Sequence, residues 1–528
     1  MRNEFTVFAI LSTIGIFLLG YFVAPGWYWL YLLILPINIL GFYDMVQKEH
    51  AIMRNYPIFG RGRYVMEDLR PKLYQYFIES DTNGTPISRI YRSVVYQRAK
   101  DVLDTSPFGT QLDVYEEGYE WMAHSIGALD AHDLEQHPRT SIGNAYCKQP
   151  YEASIFNISA MSYGSLSSNA VAALNGGAAA GGFAHNTGEG GISPYHESHK
   201  GDLIYQVGTG YFGSRAKDGN FAPGKFKEMA AKPHVKMIEL KLSQGAKPGH
   251  GGILPAKKNT AEIAAIRGVE RGTDVLSPPF HRAFNTPREM LQFIRQMQDL
   301  SNGKPVGFKL CLGQRSELMA ICKAMVETEI YPDYISVDGG EGGTGAAPLE
   351  FTNNVGMPFR EAIAYTHDVL TGFGLRDKVK LFCAGKILTG FHLFRAVALG
   401  ADACYSARGM MLALGCIQSL LCNTNHCPTG VATQDREKVA GLVVEDKKFR
   451  VANYHYETLK SFVELLAAAG LHHPEEIRRS HVFRRVSMHE IKTYEDLYPY
   501  LEEGCLLRAD TVPAAYRRAW TIASADRF

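Results

Sequence analysis

Between residues 155 and 408 a short apolar run recurs eight times, each followed by a glycine-rich or polar loop and then a stretch with helical spacing. The runs are IFNISA (155–160), FAHNT (183–187), KMIELKL (236–242), TDVLS (273–277), VGFKLCL (306–312), YISVDG (334–339), KLFCAG (380–385) and ACYSAR (403–408). Strand-like runs alternating with helical segments imply parallel βα units. Eight such units in about 260 residues match the size of a (β/α)8 barrel, an α/β fold. An open doubly wound sheet is the structural alternative, and it gives no reason for the count.

The unusual residues gather just after these runs. MSYGSLS follows the first, TGEGG the second, SQGAKPGHGG the third, DGGEGGTG the sixth, AGKILTG the seventh and ARG the eighth. In a barrel these loops share the C-terminal face, where active sites lie. Gly385 and Lys386 follow the seventh run, a helix begins near 389, and Arg408 follows the eighth. Backbone N–H groups at such turns, with two cations beside them, make an anion site suited to the phosphate of a flavin mononucleotide (FMN). Glycines that merely permit tight turns are the alternative. Lys241 stands on the third run, Gln244 and Lys247 in the loop after it, and Glu189 after the second. Lysines beside a flavin can hold a dicarboxylate and raise the electron affinity of the ring.

The 528 residues exceed one ordinary domain, so extra segments are expected around the barrel. A net charge of +1 without a long basic run argues against nucleic acid as a partner. Residues 5–24 and 27–43 carry no charge and are apolar enough for two spans joined at Pro25-Gly26, although Pro36 interrupts the second. Trp27, Tyr28, Trp29 and Tyr43 suit the membrane interface. A cleaved signal peptide is the other reading of the first stretch, but no small-x-small site follows it. Lys48, Arg54, Arg61 and Arg63 come after the second stretch, which predicts a cell-membrane protein with two spans and a cytoplasmic catalytic domain.

Nine cysteines without a small-scaffold pattern speak against a disulfide framework. Three of them, Cys416, Cys422 and Cys427, crowd into LGCIQSLLCNTNHCPTG (414–430) with C-x5-C-x4-C spacing. Zinc sites favour C-x2-C pairs, whereas iron–sulfur ligation tolerates other gaps and often closes on Cys-Pro. Three thiols without a nearby fourth suggest a [3Fe–4S] cluster, and three buried structural cysteines are the alternative.

MSYGSLS, NTGEGGISP, KLSQGAKPGHGGILP, LSPPFHRAFNTPREM, DGGEGGTGAAPL and LGCIQSLLCNTNHCPTGVATQD, in that order, resemble the FMN-binding synthase domain of glutamate synthases over about 150–440, with a related lead-in, RAKDVLDTSPFGTQ. The resemblance implies a barrel holding FMN and a [3Fe–4S] cluster, and the reductive amination of 2-oxoglutarate with ammonia to glutamate. It implies Cys416, Cys422 and Cys427 as cluster ligands, and Ser162, Lys241, Gln244, Asp338, Gly343, Gly385, Lys386 and Arg408 on flavin-contacting loops. Glu189, Lys241, Gln244 and Lys247 fall on loops around the 2-oxoglutarate site. The expected organisation is an anchor (1–45), a lead-in packing on the barrel (46–150), the barrel (151–440) and a helical extension (441–528). Neither a glutaminase domain, nor a β-helical domain, nor a Rossmann fingerprint is read in the chain. Ammonia and electrons are therefore expected from outside, the latter from a donor such as a ferredoxin or a reductase subunit. Two other functions fit less well: an FMN-dependent dehydrogenase for another amino or 2-oxo acid coupled to a membrane carrier, and a non-catalytic electron-transfer subunit.

Overall fold

A computed structural model describes residues 1–102 and 105–528, so Leu103 and Asp104 of the quoted lead-in lie outside the described residues. The chain forms two units, residues 1–86 and residues 87–528.

In the first unit, helix α1 (Arg2–Phe22) and helix α2 (Tyr31–Val46) are joined by a 3-10 turn at Pro25–Leu30. Most of their apolar side chains are exposed, the opposite of a soluble helix pair, and Arg2–Phe22 and Pro25–Val46 are long and apolar enough to cross a membrane. Polar groups tie the pair together: Asn38 Nδ2 donates to Thr13 Oγ1 (3.1 Å) and the Tyr31 hydroxyl to Thr13 O (2.7 Å). Helix α3 (Arg61–Leu73) follows and continues into a π-helical turn, Tyr74–Ile78.

The second unit is built on a closed barrel of eight parallel strands. In chain order they are β1 (Phe156–Ile158), β2 (His185–Asn186), β3 (Leu203–Val207), β4 (Val235–Lys241), β5 (Val306–Leu310), β6 (Tyr334–Asp338), β7 (Lys380–Ala384) and β8 (Ala403–Ser406). Seven of the eight expected runs are barrel strands. TDVLS is not: Val275–Leu276 pairs antiparallel with Ile253–Leu254 in a separate two-stranded sheet. The missing strand is LIYQV, β3, so Lys241 stands on the fourth strand rather than the third. The distinction is physical. Barrel strands are buried on both faces and read as continuous apolar runs, as all five residues of β3 are, whereas Leu276 is 69% exposed.

Inside the barrel, Glu239 of β4 is fully buried and its Oε1 accepts from Asn186 Nδ2 (2.8 Å) and Gln206 Nε2 (2.7 Å), which places a polar layer beneath the upper end. Outside it, helix α4 (Phe359–Gly372) covers β6 and β7, helix α5 (Gly390–Ala398) follows β7, and helix α6 (Val444–Ala468) lies along Ser168–Gly181. That last contact requires glycine: a Cβ on Gly177 would stand 2.5 Å from the Val451 side chain. The C-terminal extension is helical over α6 and Ala514–Ile522 but also contains strands. Val482–Arg485 pairs with Glu120–Met122 on one side and Ile491–Thr493 on the other. At this sheet the buried Glu120 carboxylate receives Arg360 (3.0 Å), Arg395 (2.8 Å), Arg484 (3.3 Å) and the Tyr494 hydroxyl (2.8 Å).

Candidate active site

At the C-terminal ends of β6, β7 and β8 a cavity is lined by Gln244, Asp338, Gly343, Gly385, Lys386 and Arg408. Lys309 Nζ pairs with Asp338 Oδ2 (3.2 Å), and the same oxygen accepts from Gly245 N (2.9 Å). The loops after β4 and β6 touch here through glycines: a Cβ on Gly245 would lie 1.8 Å from Gly339 O. Arg408 donates to Glu341 O. Burial lowers the pKa of Lys386, and the neighbouring Arg408 charge lowers it further. Burial likewise lowers that of Arg408, with Asp338 and Glu341 opposing. Two desolvated cations that repel one another beside glycine-rich turns are a receptor for an anion.

A second pocket adjoins the first, and Gln244 lines both. Ser162, Glu189, Lys247 and Arg267 also line it. Lys241 Nζ stands 2.9 Å from Glu189 Oε1 and donates to Gln244 Oε1 (2.9 Å), while Lys247 Nζ donates to Ala346 O (3.0 Å). Arg267 donates to Tyr163 O (3.2 Å), lies 5.0 Å over the Phe212 ring, and leaves Nε without a partner among the described residues. Burial pushes the Glu189 carboxyl up, but the charges of Lys241, Arg267 and Lys247 and the Lys241 hydrogen bond carry it below its usual value. Burial takes Lys247 down to about 8 and Arg267 to about 10, with Glu189 opposing both. His281 is taken to about 4 by burial and is held by Lys241 O (2.8 Å) and the Tyr211 hydroxyl (3.1 Å). Three cations therefore act on one carboxylate, an excess of positive charge at a largely buried site.

The loop after β6 leads on to the cysteines, since a Cβ on Gly345 would stand 3.5 Å from Cys422 Cβ. None of the nine cysteines is in a disulfide. Cys416, Cys422 and Cys427 are near enough to act on one another electrostatically. Burial raises Cys416 to about 11 and raises Cys422. Burial acts the same way on Cys427, yet the Thr429 hydroxyl and the N–H groups of Ala432, Thr429 and Val431 carry it below its usual value. Buried Lys258, donating to Ser165 O (3.1 Å) and Ala432 O (2.9 Å), adds a positive charge beside Cys422 and Cys427. Among the described residues no three His, Cys, Asp or Glu converge as on a single metal ion. Three thiols beside amide donors and a lysine are residue types that iron–sulfur ligation draws on.

A family model described as a conserved region in glutamate synthase matches residues 110–472. The chain belongs to the glutamate synthase family. It is accordingly an oxidoreductase of the group acting on CH–NH2 donors. A glutamate synthase large subunit-like protein of Bacillus subtilis, YerD, is 38% identical over 480 residues, covering 84% of this chain and 91% of the relative. The archaeal glutamate synthase [NADPH] of Methanocaldococcus jannaschii is 36% identical over 322 residues, and the archaeal-type enzyme of Thermotoga maritima 34% over 333. These alignments cover 61% and 63% of this chain, and the chain spans 60% and 62% of those two relatives.

For this glutamate synthase-family barrel, the structure brings Glu189, Gln244, Lys247 and Ser162 to one pocket, and Asp338, Gly343, Gly385, Lys386 and Arg408 to the cavity beside it, while Lys241 lines neither and is held by Glu189 and Gln244. Sequence reasoning missed Arg267, His281 and Glu239. Arg267 ends the short helix Ala261–Arg267, and nothing in its neighbours marks it apart from a surface arginine. Glu239, a carboxylate in the middle of an apolar strand, carried a signal: an acid there must find partners or take up a proton.

Proposed function

We propose that this family member catalyses reductive amination of 2-oxoglutarate to glutamate at the cytoplasmic face of a membrane. The balance is 2-oxoglutarate, ammonium, two electrons and two protons to glutamate and water. The observation that carries this reading is the second pocket, where Lys247 and Arg267 line the wall and Glu189 is already paired with Lys241, a balance that favours a small dianion. A dicarboxylate neutralises that excess, and the desolvated guanidinium of Arg267 can bind one carboxylate bidentately.

FMN would be held at the first cavity, where Lys386 and Arg408 suit its phosphate and Lys309, Asp338, Gly343 and Gly385 line the walls. FMN when bound supplies two-electron reduction of a C=N bond, and a [3Fe–4S] cluster on Cys416, Cys422 and Cys427 supplies single electrons from a donor such as a ferredoxin or a reductase subunit. The chain's own residues do the rest. Glu189 and Gln244 hold the Lys241 ammonium beside the pocket, and Lys247 can exchange a proton near neutral pH. Helices α1 and α2 serve as a two-span anchor, with Lys48 and Arg54 on the cytoplasmic side.

The test is anaerobic. The detergent-purified protein is reduced with dithionite and its flavin absorbance followed as 2-oxoglutarate is added with and without ammonium. Rapid reoxidation that needs both, with glutamate formed, supports the reading. A reduced flavin that ignores both compounds but is reoxidised by another 2-oxo acid overturns the substrate assignment.

A further inference from the structure

We propose that residues 61–78 lie flat on an anionic lipid surface as an in-plane amphipathic helix, an inference that rests on the reading of α1 and α2 as membrane spans. Helical spacing puts Val65, Met66, Leu69 and Leu73 on one side of α3, and Tyr76 and Phe77 extend that stripe through the π-helical turn. Much of the stripe is out in the open: Val65 is 54%, Met66 61% and Phe77 82% exposed, with Leu69 half-buried between them. A soluble domain covers such a stripe, so its exposure calls for an occupant.

The charges identify the occupant. On the helix wheel Arg63 and Arg70 border one edge of the stripe and Lys72, with Asp68 beside it, the other, while Glu67 lies opposite. Arg63 pairs with Glu67 (2.7 Å) and Lys72 with Asp68 (3.2 Å), so the acids draw the cations' stems around the helix without covering the apolar side. Apolar groups between bordering residues that are mainly cations, three against one acid, is the arrangement of a helix seated at a headgroup boundary. Residues 47–73 hold six lysines and arginines against three carboxylates, an excess that favours anionic lipid.

The first unit also fixes where the helix sits. The Asp44 carboxylate in the last turn of α2 is fully buried, and it accepts from Arg61 Nη2 (2.6 Å) and Ile58 N (3.0 Å). Between them Ile58 takes a left-handed backbone (φ 65°), which reverses the chain. The start of α3 is thereby tied to the end of α2, the level at which the second span leaves the bilayer. A protein partner could use the same stripe, but this tie sets the stripe beside lipid before any partner arrives.

Hydrogen exchange of the full-length protein in nanodiscs tests this, with phosphatidylcholine alone or mixed with phosphatidylglycerol. Segment 61–78 should exchange about tenfold or more slowly in the mixed nanodiscs than in the neutral ones. High salt should remove that difference without any mutation, and Leu69→Asp with Phe77→Asp should abolish the protection. Equal exchange of 61–78 in the two lipids, with segment 5–22 protected in both, overturns the proposal and leaves the spans standing. Unprotected 5–22 removes the spans and the proposal together.

Discussion

Lys247→Met should make the ligand-free protein more stable at neutral pH and a poorer binder of dicarboxylates. Burial moves the Lys247 ammonium from 10.5 to about 8, so holding it charged at pH 7 costs on the order of 3 kcal/mol. Methionine fills similar volume without that charge. The hydrogen bond from Nζ to Ala346 O (3.0 Å) is lost in exchange, which returns about 1–1.5 kcal/mol. The variant should therefore be ahead by roughly 2 kcal/mol at pH 7, a rise of a few degrees in the unfolding midpoint. The pH dependence carries the argument. Because the folded-state pKa lies below the unfolded one, the unfolded chain binds more protons between about pH 8 and 10.5, and the wild type gains stability as pH rises through that window. The variant's lead should shrink over the same range and be gone by its upper end. Thermal unfolding of both proteins in detergent at about pH 7 and about pH 10, with and without 2-oxoglutarate, gives the answer. Added 2-oxoglutarate should raise the wild-type midpoint much more than the variant's. A lead that does not change with pH, or a wild type that is the more stable at pH 7, would refute the reasoning.

Lys241→Ala removes the partner of Glu189 and Gln244 and should raise KM for 2-oxoglutarate at least about tenfold, as expected for loss of a buried charge pair. Flavin content, read from absorbance, should fall much less; the reverse pattern would assign Lys241 to the cofactor alone. In Cys422→Ser the purified protein should lose its iron and keep its flavin, and unchanged iron on elemental analysis would end the cluster assignment. Glu120→Ala strands Arg360, Arg395 and Arg484 around a buried gap and should cost about 3–5 kcal/mol, seen as faster proteolysis of the 482–494 segment; a cleavage rate like that of the wild type would contradict it.

The loops were far more legible than the strands between them. Glycines with lysines and acids after an apolar run have few uses, so Gly385, Lys386 and Arg408 could be assigned to one end of a barrel, and they meet there. The strands were harder because a five-residue run carries little information. LIYQV was passed over for TDVLS since both are short and bounded by glycine or proline, and each error hid the other in the count of eight. Polarity would have separated them: β3 has one polar residue, Gln206, and that one is satisfied by Glu239. Arg267 was out of reach, because its role comes from the excursion between Ile253 and Ser277 folding back over the pocket, a tertiary event without a local pattern.

The Glu120 junction also has a consequence in time. Its four partners are the side chains of Arg360, Arg395, Arg484 and Tyr494, and Arg484 lies 364 residues further along the chain. At roughly 5–20 residues per second, a ribosome needs on the order of 20–70 s to reach Arg484 after it has made Glu120. During that interval strand 120–122 has no edge to pair with, and its carboxylate lacks Arg484 and Tyr494. The last-made segment thus completes the fastening of an early acid, so a chain cut short before 484 would leave strand 120–122 without its partner strand.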